Sequence, residues 1–203
     1  MKICMRRTNY MNEYPSHIEV SDHFYHDSCD LLSRFGSSFD GESVTFHSIK
    51  SRRMKCFVDL RMAMESVLKA YASYYCHSNL CGEKLVKKIE NYRHHVEKIL
   101  PKCNDYLPEE ERVACKRYCD DLAKLPVGLR YKLDVMDFID ENEEIYYSTI
   151  GRDDWLTELK NNIRSIASCI GDALSKESRV ISGEEIWKEL QRPRYSKYKG
   201  KNA

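Results

Sequence analysis

The sequence predicts an all-α protein, a helical bundle of five to seven helices with a short irregular insertion near 125–150. Three observations carry this. Apolar residues recur every three or four positions through most of the chain, which is the period of one helix face. Only 8 Gly and 5 Pro interrupt 203 residues, so few positions oppose helix continuation. A 42% hydrophobic fraction beside a 32% charged fraction fits a packed core under a charged surface, and not a disordered or collagen-like chain. The length suffices to bury such a core without disulfides or metals. One helical domain is expected over 15–191, between a loose arm at 1–14 and a basic tail at 192–203.

Between Ser16 and Phe35, Ile18, Phe24, Tyr25, Cys29, Leu31 and Leu32 follow a helical spacing. Gly36-Ser-Ser-Phe-Asp-Gly41 then reads as a loop. The strongest stripe follows: Phe46, Ile49, Phe57, Leu60, Met64, Val67, Leu68, Tyr71 and Tyr74, broadened by Val44, Val58, Met62 and Ala63. A helix so apolar belongs at the centre of a bundle, and Cys76 to Gly82 is its linker. One helix is expected over Gly82 to Leu100, with Leu85, Val86, Ile89, Tyr92, Val96, Ile99 and Leu100 inward, stopped by Pro101. Pro108 followed by Glu109, Glu110 and Glu111 marks the next helix start, since acids suit the positive dipole end; the helix should reach Leu122 or Lys124.

Leu129, Tyr131, Leu133 and Val135 alternate weakly, which allows a short extended segment inside the insertion. Asp140 to Glu144 reads as an acidic loop. Asp153 or Asp154 caps a helix through Lys176, with Trp155, Leu156, Leu159, Ile163, Ile166, Ala167, Ile170 and Leu174 as its stripe. Ser182-Gly-Glu-Glu185 resembles a capping box for a short last helix carrying Ile186, Trp187 and Leu190.

The nine cysteines are expected as reduced thiols in a cytoplasm. Met1 to Tyr10 is basic and polar, unlike a secretory leader, and no apolar run approaches membrane-spanning length. Lysines and arginines number 33 against 32 acids, so no global field favours nucleic acid. Five of those cations, Arg192, Arg194, Lys197, Lys199 and Lys201, crowd the tail with Tyr195 and Tyr198. The body is therefore mildly acidic, and the tail could neutralise phosphates and stack on bases.

Candidate chemistry is sparse. Arg93, His94 and His95 could position a phosphate and move a proton near neutral pH, although adjacent helical residues point about 100° apart. Glu65 and Lys69 form an i, i+4 pair in the stabilising orientation. Arg130, Tyr131, Tyr146 and Tyr147 suit protein contacts or base stacking. His23, His26 and Asp30 share a face that could ligate a metal only with help from another helix. Cys76, His77, Cys81, Cys115 and Cys119 lack zinc spacing. No metal or cofactor is expected.

The element Glu65-Ser-Val-Leu-Lys69-Ala70, on a central helix from Cys56 to Tyr75, resembles the second helix of HEPN-superfamily proteins. The following helix, with His94-His95, and the Leu129-Arg-Tyr131 element extend the likeness over roughly 15–175. The resemblance implies an all-α domain, often homodimeric, of bacterial toxin–antitoxin and phage-defence systems, whose active members are metal-independent ribonucleases. Their motif sets a His four to six residues after an Arg. None of His17, His23, His26, His47, His77, His94 or His95 meets it. The expectation is therefore a non-catalytic HEPN-like interaction protein that binds a protein partner or RNA. The alternative is a diverged ribonuclease using His94 or His95 with Arg93 or Arg130.

Overall fold

The computed structural model describes residues 15–40, 46, 48–125 and 142–180, the last three as backbone only. Seven α-helices and no strand occur among these residues. Ser16 opens α1 (His17–Phe39) with a capping box: its hydroxyl accepts from the Glu19 N–H, and the Glu19 carboxylate accepts from the Ser16 N–H at 2.8 Å. Both donors would otherwise be orphaned at the helix start. The helix passes through Gly36 to Phe39, beyond the expected break at Gly36. Phe39 stacks on Phe35 at 4.9 Å, and that contact outweighs the glycine's weak helix preference. A Cβ at Gly36 would meet nothing within 4 Å. Gly36→Ala should therefore raise stability by about 0.5–1 kcal/mol through unfolded-state entropy, read as a higher thermal midpoint.

Helix α2 (Ile49–Tyr71) is capped by Ser48, whose hydroxyl accepts from Ser51 N–H at 3.1 Å. It starts later than the stripe suggests, and Ile49 is 63% exposed. From Asp59 onward nearly every side chain is buried, whatever its polarity, because α2 is surrounded. The apolar residues Phe57, Leu60, Met64, Val67, Leu68 and Tyr71 make the core. The polar ones are paired: Asp59 with Arg34 at 2.6 Å, Ser66 with Asp27, Glu65 with Lys69.

Helices α1 and α2 run antiparallel along a seam of small residues. Ser21 donates to the Ala70 carbonyl at 2.9 Å and Ser28 to the Ala63 carbonyl at 3.0 Å. Both pairs are seven residues apart, two helical turns, so the contact repeats and the backbones approach closely. A π-helical turn, Ala72–Cys76, ends α2.

The single helix expected over 82–100 is two: α3 (Gly82–Glu90) and α4 (Val96–Cys103). The corner between them turns on Arg93, the one non-glycine residue with positive φ (49°) among those described, a region most side chains avoid. Periodicity cannot detect this corner, because the buried series Leu85, Ile89, Tyr92, Val96, Ile99 and Cys103 keeps its three-four step across it. Pro101 lies inside α4 instead of stopping it. After a 3-10 turn at Asn104–Tyr106 comes α5 (Glu109–Lys124), with three acids in its first turn as expected.

Glu143 and Glu144, expected in a loop, form the first turn of α6 (Glu143–Ser148), where the helix dipole favours them. Helix α7 (Asp153–Val180) buries its whole expected stripe from Trp155 to Leu174 and runs four residues past Lys176. It packs against α1, α2 and α5.

Among the described residues no helix is long and apolar enough to cross a membrane. The eight described cysteines are free thiols, with Cys56, Cys103, Cys115 and Cys119 buried; burial pushes the Cys56 thiol up to about 11. The arm expected at 1–14, Arg130 and Tyr131, the short last helix expected from Ser182, and the tail cations Arg192, Arg194, Lys197 and Lys199 lie outside the described residues.

Candidate functional site

Two of the sequence candidates converge. Helix α2 presents Glu65 and Lys69 one turn apart, their side chains only 10% and 11% exposed, with Lys69 Nζ 2.6 Å from Glu65 Oε1. The second carboxylate oxygen, Oε2, lies 3.0 Å from Nδ1 of His94 at the α3–α4 corner. Phe24 of α1 closes the group, its ring centroid 5.5 Å below the Lys69 ammonium. A cation on a ring face is attracted by the quadrupole, more so where water is scarce.

A carboxylate can only accept, so His94 Nδ1 carries the proton. In the neutral ring, Nε2 is then left with its lone pair. The side chain is 47% exposed. A histidine held by a carboxylate at one nitrogen and free at the other can take a proton from a bound group. The positive φ of Arg93 turns the chain so that His94 faces α2. His95 points elsewhere and bonds Glu97 at 2.7 Å. The structure thus joins Glu65, Lys69 and His94 and leaves His95 apart.

Arg93 is exposed, and among the described residues its guanidinium makes no ion pair or hydrogen bond. It belongs to a wider basic face. Helices α3 and α4 with their corner carry Lys84, Lys87, Lys88, Arg93, Lys98 and Lys102, all exposed, against Glu83, Glu90 and Glu97. One acid is spent locally, as Lys87 pairs with Glu83 at 2.6 Å. His77, hydrogen-bonded to the Tyr92 hydroxyl at 2.9 Å, is held below the ordinary imidazole value by burial first, then by Lys88 of α3 and Lys102 of α4. The sequence signal for this basic face was the local excess of cations over acids in 82–103, within an otherwise acidic body.

Other candidates separate. Tyr146 is buried (1% exposed) and only Tyr147, at 54%, meets solvent, so this pair offers one contact residue, not two. His23, His26 and Asp30 are exposed, and His26 lies 3.5 Å from Asp22. Among the described residues no group of three His, Cys, Asp or Glu side chains is placed to hold a metal.

No family model matches the chain, and no curated protein or solved structure is significantly similar to it.

Proposed function

We propose that this chain is a HEPN-like helical protein that binds RNA through the α3–α4 face. The observation that carries the reading is the exposed basic surface around Arg93 and His94, set on a mildly acidic body. Cations that neutralise phosphates release counterions and supply most sequence-independent affinity. The HEPN likeness of Glu65-x3-Lys69-Ala70 adds the expectation of a homodimer working in a bacterial or phage defence or toxin–antitoxin setting. Fluorescence anisotropy with labelled RNA tests this. Lys88→Glu combined with Arg93→Glu should weaken binding roughly tenfold or more at low salt and flatten the salt dependence. A wild-type protein that binds no RNA at ~50 mM salt would sink the reading and favour a protein partner.

A second reading, a metal-independent ribonuclease, is favoured by the Glu65–His94 contact at 3.0 Å. In it, His94 Nε2 takes the proton from an attacking hydroxyl, Glu65 holds the imidazole and Arg93 binds the phosphate. Removing a positioned acid–base group typically costs about 10²–10⁴ in rate. His94→Ala should therefore abolish cleavage while His95→Ala leaves it near wild type. Equal losses in both variants would contradict the assignment, and inert wild type would remove the reading.

A further inference from the structure

Four exposed residues follow the corner at intervals of four: His94, Lys98, Lys102 and Tyr106. Lys98 and Lys102 lie one turn apart on α4 and share its face, His94 precedes the helix in the corner, and Tyr106 ends the 3-10 turn that follows it. Its far end is anchored by the π turn after α2. Tyr106 stacks on Tyr75 at 4.7 Å with only 7° between the rings, and the Cys76 thiol donates to the Lys102 carbonyl at 3.0 Å. The backbone of Lys102 and the ring of Tyr106 therefore sit against consecutive residues of one turn. Tyr106 is 48% exposed, so the ring keeps surface for a second stacking partner. Beside it opens a cleft of about 360 Å³, lined by Tyr74, Tyr75, Cys169, Ala173, Lys176 and Glu177.

Resting on the RNA-binding reading above, we infer that the His94–Lys98–Lys102–Tyr106 stripe is a single-strand path, with phosphates along α4 and one base stacked on Tyr106. The charge argues for a polyanion. The aromatic terminus argues for unpaired bases, because a duplex keeps its base faces stacked and out of reach while a single strand can offer them. Helix α4 alone is ~12 Å long at helical rise and the path extends past both its ends, so base and phosphate contacts fall on different nucleotides of one strand. Stacking on a ring is indifferent to base identity, so the stripe selects for strandedness before sequence.

The test is anisotropy with a labelled single-stranded RNA of about ten nucleotides, the same sequence as single-stranded DNA, and the RNA duplex as competitor. Tyr106→Ala should weaken single-strand binding roughly 5- to 100-fold, as loss of one stacked base does, while Tyr106→Trp keeps it. Lys98→Glu with Lys102→Glu should weaken binding and flatten its salt dependence. Duplex should compete poorly. Similar affinities for RNA and DNA assign the path to shared backbone and base-face chemistry; stronger RNA binding adds contacts to the 2′-hydroxyl. Thermal melts establish that each variant is folded. Wild-type affinity in folded Tyr106→Ala, or equal competition by duplex, overturns the stacking path while leaving the RNA reading intact. No binding of any oligonucleotide by the wild type removes both.

Discussion

Glu65→Ala is expected to destabilise the fold by about 3–5 kcal/mol, the usual cost of breaking a buried ion pair from one side. That is a large part of the ~5–15 kcal/mol that holds a typical domain together. The carboxylate accepts from Lys69 at 2.6 Å and from His94 at 3.0 Å. Without it the Lys69 ammonium stays 11% exposed above Phe24, desolvated and without its counter-charge. The double variant Glu65→Leu with Lys69→Leu should recover most of the loss, because no buried charge remains. Urea melts followed by far-UV circular dichroism give both numbers. If the losses of the single variants Glu65→Leu and Lys69→Leu simply add in the double variant, the pair is not coupled.

Arg61→Leu should cost about 2–4 kcal/mol. Arg61 is 7% exposed, and its Nη1 donates to the carbonyls of Leu122 at 2.7 Å and Leu125 at 2.8 Å. These belong to the end of α5, where carbonyls have no partner within the helix. A leucine brings neither donor: the Leu125 carbonyl loses this partner and the Leu122 carbonyl keeps only the Leu125 N–H at 3.2 Å, and such hydrogen bonds to a charged donor contribute about 1.5–3 kcal/mol each. Arg61→Lys should restore only part, since an ammonium on a flexible stem lacks the planar fork. Full recovery with lysine would show that charge alone matters. The same urea melts report it, and amide exchange near Leu122 should rise in both variants.

What could be read in advance follows a physical division. The stripe of α7 was legible residue by residue, because one face of a long helix must be apolar to be buried. The central place of α2 was legible for the same reason. Its buried Asp59 and Arg61 were not, since each is buried with a partner far along the chain; the Glu65–Lys69 pair was legible from its spacing, but its burial was not. The Glu65–His94 contact spans 29 residues, and no local pattern encodes it. The α3–α4 corner hid behind an unbroken hydrophobic period and showed only in the backbone of Arg93. Gly36 misled in the opposite direction: a residue that often ends helices was carried by the stacking of its neighbours. The serine–alanine seam of α1 and α2 was written in the chain at intervals of seven, but only the pairing of the two helices gives that spacing a meaning.

The free cysteines give the molecule a built-in set of clocks. Cys169 is exposed and Cys29, Cys76 and Cys81 are half-buried, whereas Cys56, Cys103, Cys115 and Cys119 are sealed in the core. An alkylating reagent attacks only a thiolate it can reach, so the first four record the breathing of the surface. The other four can react only through excursions that separate the helices. Cys103 lies in α4, Cys115 and Cys119 in α5 and Cys56 in α2, so the order in which they become labelled is the order in which the bundle comes apart.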